Sequence, residues 1–198
     1  MTTTLCTKRL LSEIDKIMKD PIEDVDVVID NDNLLIWYFL IKGKDEYKNG
    51  YFIGKITNNV GYPMEPPTFS MLTPSGRFEI NKNICLSNSS YHSESWNPLW
   101  TMKSIILGFI SIMYDYSETA FGLGHLRTTK EEKKKFADIS VAYNRQYHFK
   151  LFTKFIRFIE PIKNEKILEE MDEYLSGIKK VIKNTFKHFN KKIEKIII

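Results

Sequence analysis

Three runs of β-branched and aromatic residues, joined by connectors too short to hold a helix, constrain this chain more than anything else in it. They are Val25 to Ile29, Leu34 to Ile41 and Tyr51 to Thr57. Asp30-Asn31-Asp32-Asn33 separates the first two, and Gly43 through Gly50 separates the next two. Parallel neighbours need a crossover of about a dozen residues or more, so these connectors dictate an antiparallel meander. A fourth run, Thr68 to Leu72, comes after the proline-rich Gly61-Tyr62-Pro63-Met64-Glu65-Pro66-Pro67 and extends the sheet.

Helical periods flank the strands. Residues 4 to 19 place Leu10, Ile14, Ile17 and Met18 at helical spacing, and Pro21 ends the segment. A second stripe runs through Met102, Ile105, Ile106, Phe109, Ile110 and Met113, as a core-facing helix requires. A third helix begins near Thr129, with Glu131 and Glu132 favourable in its first turn, and its expected apolar face is Phe136, Ile139, Tyr143 and Tyr147. After Pro161, Ile167, Met171, Tyr174, Ile178, Val181, Phe186, Phe189, Ile193 and Ile196 recur every three to five residues. The expected architecture is α+β: a four-stranded antiparallel meander between an N-terminal helix and C-terminal helices, over residues 1–160. An amphipathic helical extension is expected over 161–198.

Composition excludes several classes. A chain of 198 residues holds one domain with an appendage. A formal net charge of +4 is too small for nucleic-acid binding by the whole surface. Two cysteines, Cys6 and Cys85, rule out a disulfide framework and a cysteine zinc cluster. The four histidines, His92, His125, His148 and His188, stand in different segments without metal-ligand spacing, so no metal site is expected. Cys6 reads as a packing residue, and His148 and His188 as surface histidines. Lys8, Arg9 and Glu13 break up the N-terminus, which is no signal peptide, and no run reaches the roughly 18 apolar residues of a membrane span. The chain is expected in the cytoplasm. The extension is acidic first (Glu165, Glu169, Glu170, Asp172, Glu173) and basic later (Lys179, Lys180, Lys183, Lys187, Lys191, Lys192, Lys195). Its acidic half opposes contact with an anionic membrane, so packing on the domain or on a partner is favoured.

No period holds from Thr73 to Trp100, and an irregular stretch that long in a compact domain is usually functional. It carries Cys85 among hydroxyl and amide side chains: Asn81, Asn83, Ser87, Asn88, Ser89 and Ser90. A cysteine between strand and helix, off any periodic face, reads as an exposed nucleophile or as a small buried hydrophobe.

Several segments together resemble one family. The first helix, the meander, Tyr62-Pro63-Met64-Glu65-Pro66-Pro67, Ile84-Cys85-Leu86 and Trp96-Asn97-Pro98 before a helix look like the catalytic fold of ubiquitin-conjugating enzymes. Thr73-Pro74-Ser75-Gly76-Arg77-Phe78, Tyr91-His92 and Trp96-Asn97-Pro98-Leu99-Trp100 resemble the endoplasmic-reticulum-associated J-type branch. The likeness covers roughly residues 4 to 150. J-type relatives commonly end in a membrane anchor, which this sequence is not expected to have.

The resemblance implies that Cys85 accepts ubiquitin as a thioester from an activating enzyme, which consumes the ATP; no cofactor is expected on this chain. A ligase of RING type then guides transfer to a substrate protein. A free thiol has a pKa of about 8.5, leaving a few per cent thiolate at neutral pH, enough for transthiolation. The acceptor is lysine, or a Ser or Thr hydroxyl, as J-type relatives suggest. Ser75 stands where the family carries the asparagine credited with oxyanion stabilisation, a contribution of about 3 kcal/mol when well aimed. Thr73-Pro74-Ser75-Gly76 equally fits a type I turn. Asn83 is a candidate support, His92 a candidate acid or base for a hydroxyl acceptor, and His125 falls near the family's second gate to the site.

By position, ligases would meet Arg9, Tyr62, Pro63, Met64, Pro98 and Leu99, and the activating enzyme Lys8 and Arg9. Two other readings compete with the conjugating enzyme. One is a non-catalytic scaffold that kept the fold and binds ubiquitin or a ligase; retention of Cys85 weighs against it. The other is a cysteine hydrolase pairing Cys85 with His92 or His125, for which the sequence offers no cleft or orienting group.

Overall fold

The computed structural model describes residues 4–84, 96–115, 122 and 124–158. Helix α1 spans Thr4–Lys19, and β1 (Val25–Ile29), β2 (Ile36–Lys42), β3 (Tyr51–Thr57) and β4 (Thr68–Met71) come next. Helices α2 (Met102–Met113), α3 (Lys130–Tyr147) and the short α4 (Phe149–Phe152) complete the described fold. The strands pair in chain order, each antiparallel to the last, as the connectors require. At the first connector, Asp30 Oδ1 accepts from the backbone of Asp32 and Asn33 at 3.0 Å each, an Asx turn.

Pleating sorts the side chains onto two faces. Val25, Trp37, Phe39, Ile41, Phe52, Ile56, Phe69 and Met71 point to one face and meet α1 and α2 in the main core. Phe109 of α2 is its centre: its ring lies 5.3 Å from Phe39, 5.4 Å from Phe69 and 5.1 Å from Phe78. The opposite face carries Val28, Leu40 and Ile53, which would be an apolar strip in water. Phe152 and Phe155, from the segment that runs out of α4, cover it in a second cluster. That segment is pinned at its end. Arg157 Nη1 donates to the carbonyls of Val25 (2.7 Å) and Ile22 (3.2 Å), and its backbone N–H donates to the buried Asp26 carboxylate (3.2 Å).

Helix α3 begins with the complete capping box that Thr129 and Glu132 suggest, each side chain bonded to the other's backbone. Its buried face, however, is one position away from the aromatic stripe. Lys133, Ala137, Ser140 and Asn144 are buried, whereas Ile139 is 52% and Tyr147 61% exposed. The reason is spacing between elements. A Cβ on Gly50 would fall 2.9 Å from the Ala137 Cβ, so the contact admits only small side chains. Burial lowers the Lys133 ammonium below its usual pKa, Glu46 pulling the other way. On α1, Leu10, Ile14 and Ile17 are buried as expected, with Cys6, but Met18 is 68% exposed. The helix turns Glu13 inward instead.

Candidate functional site

The stretch from Thr73 to Ile84 is irregular in period but tightly held. Strand β4 stops pairing at Met71, opposite Gly54 of β3. Beyond it, the Thr73 hydroxyl takes the place of the next rung and accepts from the Ile53 N–H at 2.9 Å. The same hydroxyl donates to Asn144 Oδ1 of α3 at 2.5 Å, and Asn144 Nδ2 donates to the Tyr51 carbonyl at 2.8 Å. The Tyr51 N–H donates to Ser140 Oγ at 2.9 Å, and that hydroxyl donates to the Ala137 carbonyl at 2.7 Å. Thr73 and Asn144 are both fully buried. A buried chain in which each of these donors meets an acceptor has one arrangement, and it fixes where the turn begins.

Within that turn Gly76 takes φ +74°, a conformation only glycine adopts without strain. Ser75 is fully buried, and its Oγ accepts from the Arg77 N–H at 3.2 Å, a short-range turn bond. Arg77, 1% exposed, reaches the C-terminal end of α2. Its Nε and Nη2 donate to the carbonyls of Ile112 (3.2 Å) and Asp115 (2.9 Å). A cation at a helix C-terminus also meets the negative end of the helix dipole.

The chain then doubles back along β4. Asn81 N–H donates to the Met71 carbonyl and Ile84 N–H to the Phe69 carbonyl, both at 2.8 Å. Ile84 is fully buried, whereas Asn83 is exposed. Residues 124–126 lie alongside: Glu79 N–H donates to the Gly124 carbonyl (2.8 Å) and Leu126 N–H to the Arg77 carbonyl (2.9 Å). A Cβ on Gly124 would sit 2.9 Å from the Asn83 carbonyl oxygen. His125 stands edge-on to Phe78 with centroids 5.1 Å apart. The fold therefore lays Asn83-Ile84 and residues 124–126 along the β4 edge of the sheet, with the Thr73–Gly76 turn following β4. Cys85, His92 and the extension over 161–198 lie outside the described residues.

The expected partner surface is built on a buried ion pair. Glu13 is fully buried and accepts from Arg9 Nε at 2.6 Å and from the Met102 N–H, the first of α2, at 2.9 Å. Arg9 also donates to the carbonyls of Pro98 (3.0 Å) and Trp100 (2.6 Å). Its guanidinium is thus bonded within the chain while its side chain stays 20% exposed, and Lys8 beside it is exposed. Tyr62 lies beneath this surface. It is fully buried, burial pushes its phenol far above the usual tyrosine range, and Glu13 nearby adds to the shift. Pro63 is likewise buried. The Pro63 carbonyl accepts from Trp96 Nε1 at 2.9 Å, which joins the proline-rich loop to the loop before α2. Met64 (64% exposed) and Leu99 (80%) stand out from these joined loops, with Pro98 half-buried between them and the core.

Asn144, Glu13 and Arg77 were not among the residues the sequence singled out. A signal for Asn144 existed: Ala137, Ser140 and Asn144 are small or short residues at helical spacing, which marks a face packed close to another backbone.

With this fold and this cluster in view, comparison with known proteins gives the class. The family profile described as ubiquitin-conjugating enzyme matches residues 9–143, and the chain belongs to that family. Among curated relatives, a "Ubiquitin-conjugating enzyme E2 J2-like" protein of Dictyostelium discoideum is 41% identical over 143 residues, 71% of this chain and 82% of that protein. "Ubiquitin-conjugating enzyme E2 34" of Arabidopsis thaliana is 38% identical over 73% of this chain and 60% of its own length. "Ubiquitin-conjugating enzyme E2 J2" of Homo sapiens is 34% identical over 71% of this chain and 54% of its own. This chain thus spans little more than half the length of the latter two. Among solved structures, human ubiquitin-conjugating enzyme E2 G1 is 27% identical with a TM-score of 0.48, covering 54% of this chain and 92% of that one. Ubiquitin, an activating enzyme and a ligase are the partners such a family implies. Among the described residues, no helix is long and apolar enough to cross a membrane.

Proposed function

We propose that the chain receives ubiquitin from an activating enzyme as a thioester on Cys85. It then passes the acyl group to a lysine, or to a Ser or Thr hydroxyl, of a protein substrate, guided by a RING-type ligase. The observation that carries the reading is the anchoring of Ile84. A backbone bond to Phe69 and a buried side chain hold it against the Gly124 backbone. It directly precedes Cys85 in the sequence. ATP is consumed by the activating enzyme. Ser75 shapes the turn of this reading, its oxygen accepting from the Arg77 N–H, and it keeps its hydroxyl proton for an oxyanion. Asn83, exposed next to Ile84, is a second candidate donor, and His92 is the acid or base when the acceptor is a hydroxyl. Met64, Pro98 and Leu99 form the ligase contact, with Tyr62, Pro63 and Arg9 shaping it from beneath, and Lys8 faces the activating enzyme.

The test is a charging assay with activating enzyme, ubiquitin and ATP, resolved with and without thiol. A thiol-sensitive band one ubiquitin heavier, absent in Cys85→Ala, is expected. Absence of the band with a competent activating enzyme would move the assignment to the scaffold.

A further inference from the structure

We propose that Arg157 and Asp26 form a latch through which the segment leaving α4 closes the free edge of the sheet. That edge and the outer sheet face beneath Phe152 and Phe155 then open as one unit.

Strand order leaves β1 at one edge, and its pairing fixes which backbone groups turn outward. The Lys42 N–H donates to the Asp24 carbonyl at 2.8 Å, and the Asp30 N–H to the Ile36 carbonyl at 2.9 Å, just before and just after the strand. In an antiparallel ladder residues two apart face the same way, so Asp26 and Val28 also bond toward β2. Val25, Val27 and Ile29 turn their N–H and C=O groups away from it. An edge of that kind is a template for another strand.

Half of this edge is taken. The Val25 N–H donates to the Ile22 carbonyl at 3.3 Å, and the Val25 carbonyl accepts from Arg157 Nη1 at 2.7 Å. The Val27 N–H donates to Oδ1 of its neighbour Asp26 at 3.0 Å. Among the described residues, the Ile29 N–H has no partner on that side.

Asp26 couples edge to face. It is 8% exposed, and pleating turns its side chain to the outer face with Val28. Its second oxygen accepts from the Arg157 N–H at 3.2 Å. The carboxylate that caps the edge is thus held by the segment that covers the face. Arg157 Nη1 also donates to the Ile22 carbonyl at 3.2 Å, so one guanidinium bridges β1 and the loop before it. Within the segment the backbone bonds are local, from Thr153 to Phe149, Lys154 to Leu151 and Phe155 to Phe152. Lifting it uncovers Val28, Leu40 and Ile53, withdraws the donor from the Val25 carbonyl and releases the Asp26 carboxylate from its place over Val27.

Amide hydrogen exchange of the full-length chain, followed by NMR and corrected for intrinsic rates, tests this. The Val27 N–H reads the edge. The Thr153 N–H, bonded to the Phe149 carbonyl at 3.0 Å, reads the segment. The Phe39 N–H in the central strand β2 reads global unfolding. In the wild type, Val27 is expected to be about tenfold or more better protected than Ile29, as a bond to a carboxylate implies. Arg157→Met removes the guanidinium and leaves Phe155 in place; Phe155→Ala removes cover from the face and touches no edge group. Each is expected to speed exchange at both Val27 and Thr153 by about tenfold relative to Phe39. Arg157→Lys, which keeps a donor for one carbonyl, should give a smaller acceleration. If Phe155→Ala does not fold, Phe155→Leu makes the same comparison. Equal protection of Val27 and Ile29 in the wild type would overturn the proposal. So would Phe155→Ala speeding Thr153 but not Val27, Arg157→Met speeding Val27 but not Thr153, or either variant speeding neither relative to Phe39.

Discussion

Replacing Glu13 with alanine removes a carboxylate shared by three groups. Arg9 Nε lies 2.6 Å from one oxygen, the Met102 N–H 2.9 Å from the other, and Lys16 Nζ 3.7 Å away. Lys16 is 53% exposed and contributes little. The other two matter. Arg9's side chain is 20% exposed and Glu13's fully buried, so the substitution leaves a mostly buried guanidinium without its counter-charge and a buried N–H without an acceptor. It also removes a negative charge from the positive end of α2. Removing one partner of a buried pair costs about 3–5 kcal/mol. The partial exposure of Arg9 argues for the lower end, about 3 kcal/mol, because water can reach the orphaned guanidinium. For a chain of this size that corresponds to a fall in Tm of about 6–12 °C. Glu13→Gln keeps an oxygen for one of the two donors but turns an NH2 toward the other and loses the charge, so a fall only modestly smaller is expected. The double variant Arg9→Met with Glu13→Leu should recover much of the loss, since apolar replacement of a whole buried pair is often neutral. Thermal unfolding followed by far-ultraviolet circular dichroism, with urea unfolding alongside, reads all three. A fall of less than about 2 °C for Glu13→Ala, or a double variant less stable than the single one, would refute the clamp and its energetics.

On α3, Ile139→Lys should change stability by no more than about 0.5 kcal/mol, whereas Ala137→Leu should cost about 1–3 kcal/mol by overpacking the seam against Gly50; urea midpoints compare them. Met64→Ser combined with Leu99→Ser should leave charging with ubiquitin intact and slow ligase-stimulated discharge several-fold, measured with a RING ligase titrated into the reaction. Asp26 titrates with a definite sign. Burial raises its carboxyl above the ordinary 3.8, the N–H groups of Arg157 and Val27 pulling it back only in part. The ionised form is therefore disfavoured in the folded chain, a penalty that is full at neutral pH and fades as pH falls through the folded value toward 3.8. Measured as a difference in urea midpoint from wild type, Asp26→Asn should gain relative stability on going from pH 4 to pH 7; a constant difference would contradict the sign.

Periodicity and connector length carried most of the fold. The four strands and their order came from β-branched runs and short turns, and α1 and α2 from stripes that end where proline and capping residues say they should. The departures share a cause. For α3, hydrophobicity pointed to Ile139 and Tyr147, but the helix lies so close to β3 that only Ala137, Ser140 and Asn144 fit, and bulk rather than polarity decides the face. For Arg9 and Tyr62, a residue type suited to a partner surface is equally suited to building one. A buried carboxylate at position 13 turned the arginine inward, and an expected contact aromatic became a floor. Ser75 was legible as a turn-former from Thr73-Pro74-Ser75-Gly76. That its oxygen accepts from the Arg77 N–H depends on backbone geometry that no spacing rule encodes. Asn144 escaped notice because its partners, Thr73 and Tyr51, are far from it along the chain.

The covering of the outer sheet face by Phe152 and Phe155 has a practical corollary for where this chain tolerates being cut. The family match ends at residue 143, yet among the described residues Phe152 and Phe155, further along the chain, are the buried residues that cluster with Val28, Leu40 and Ile53. A fragment trimmed to the matched region would bare a greasy strip on its sheet and lose the latch of Arg157 on Ile22 and Val25. Such a fragment invites clumping. The smallest self-sufficient unit of this protein therefore extends at least to Phe158, past the last residue that the family profile matches.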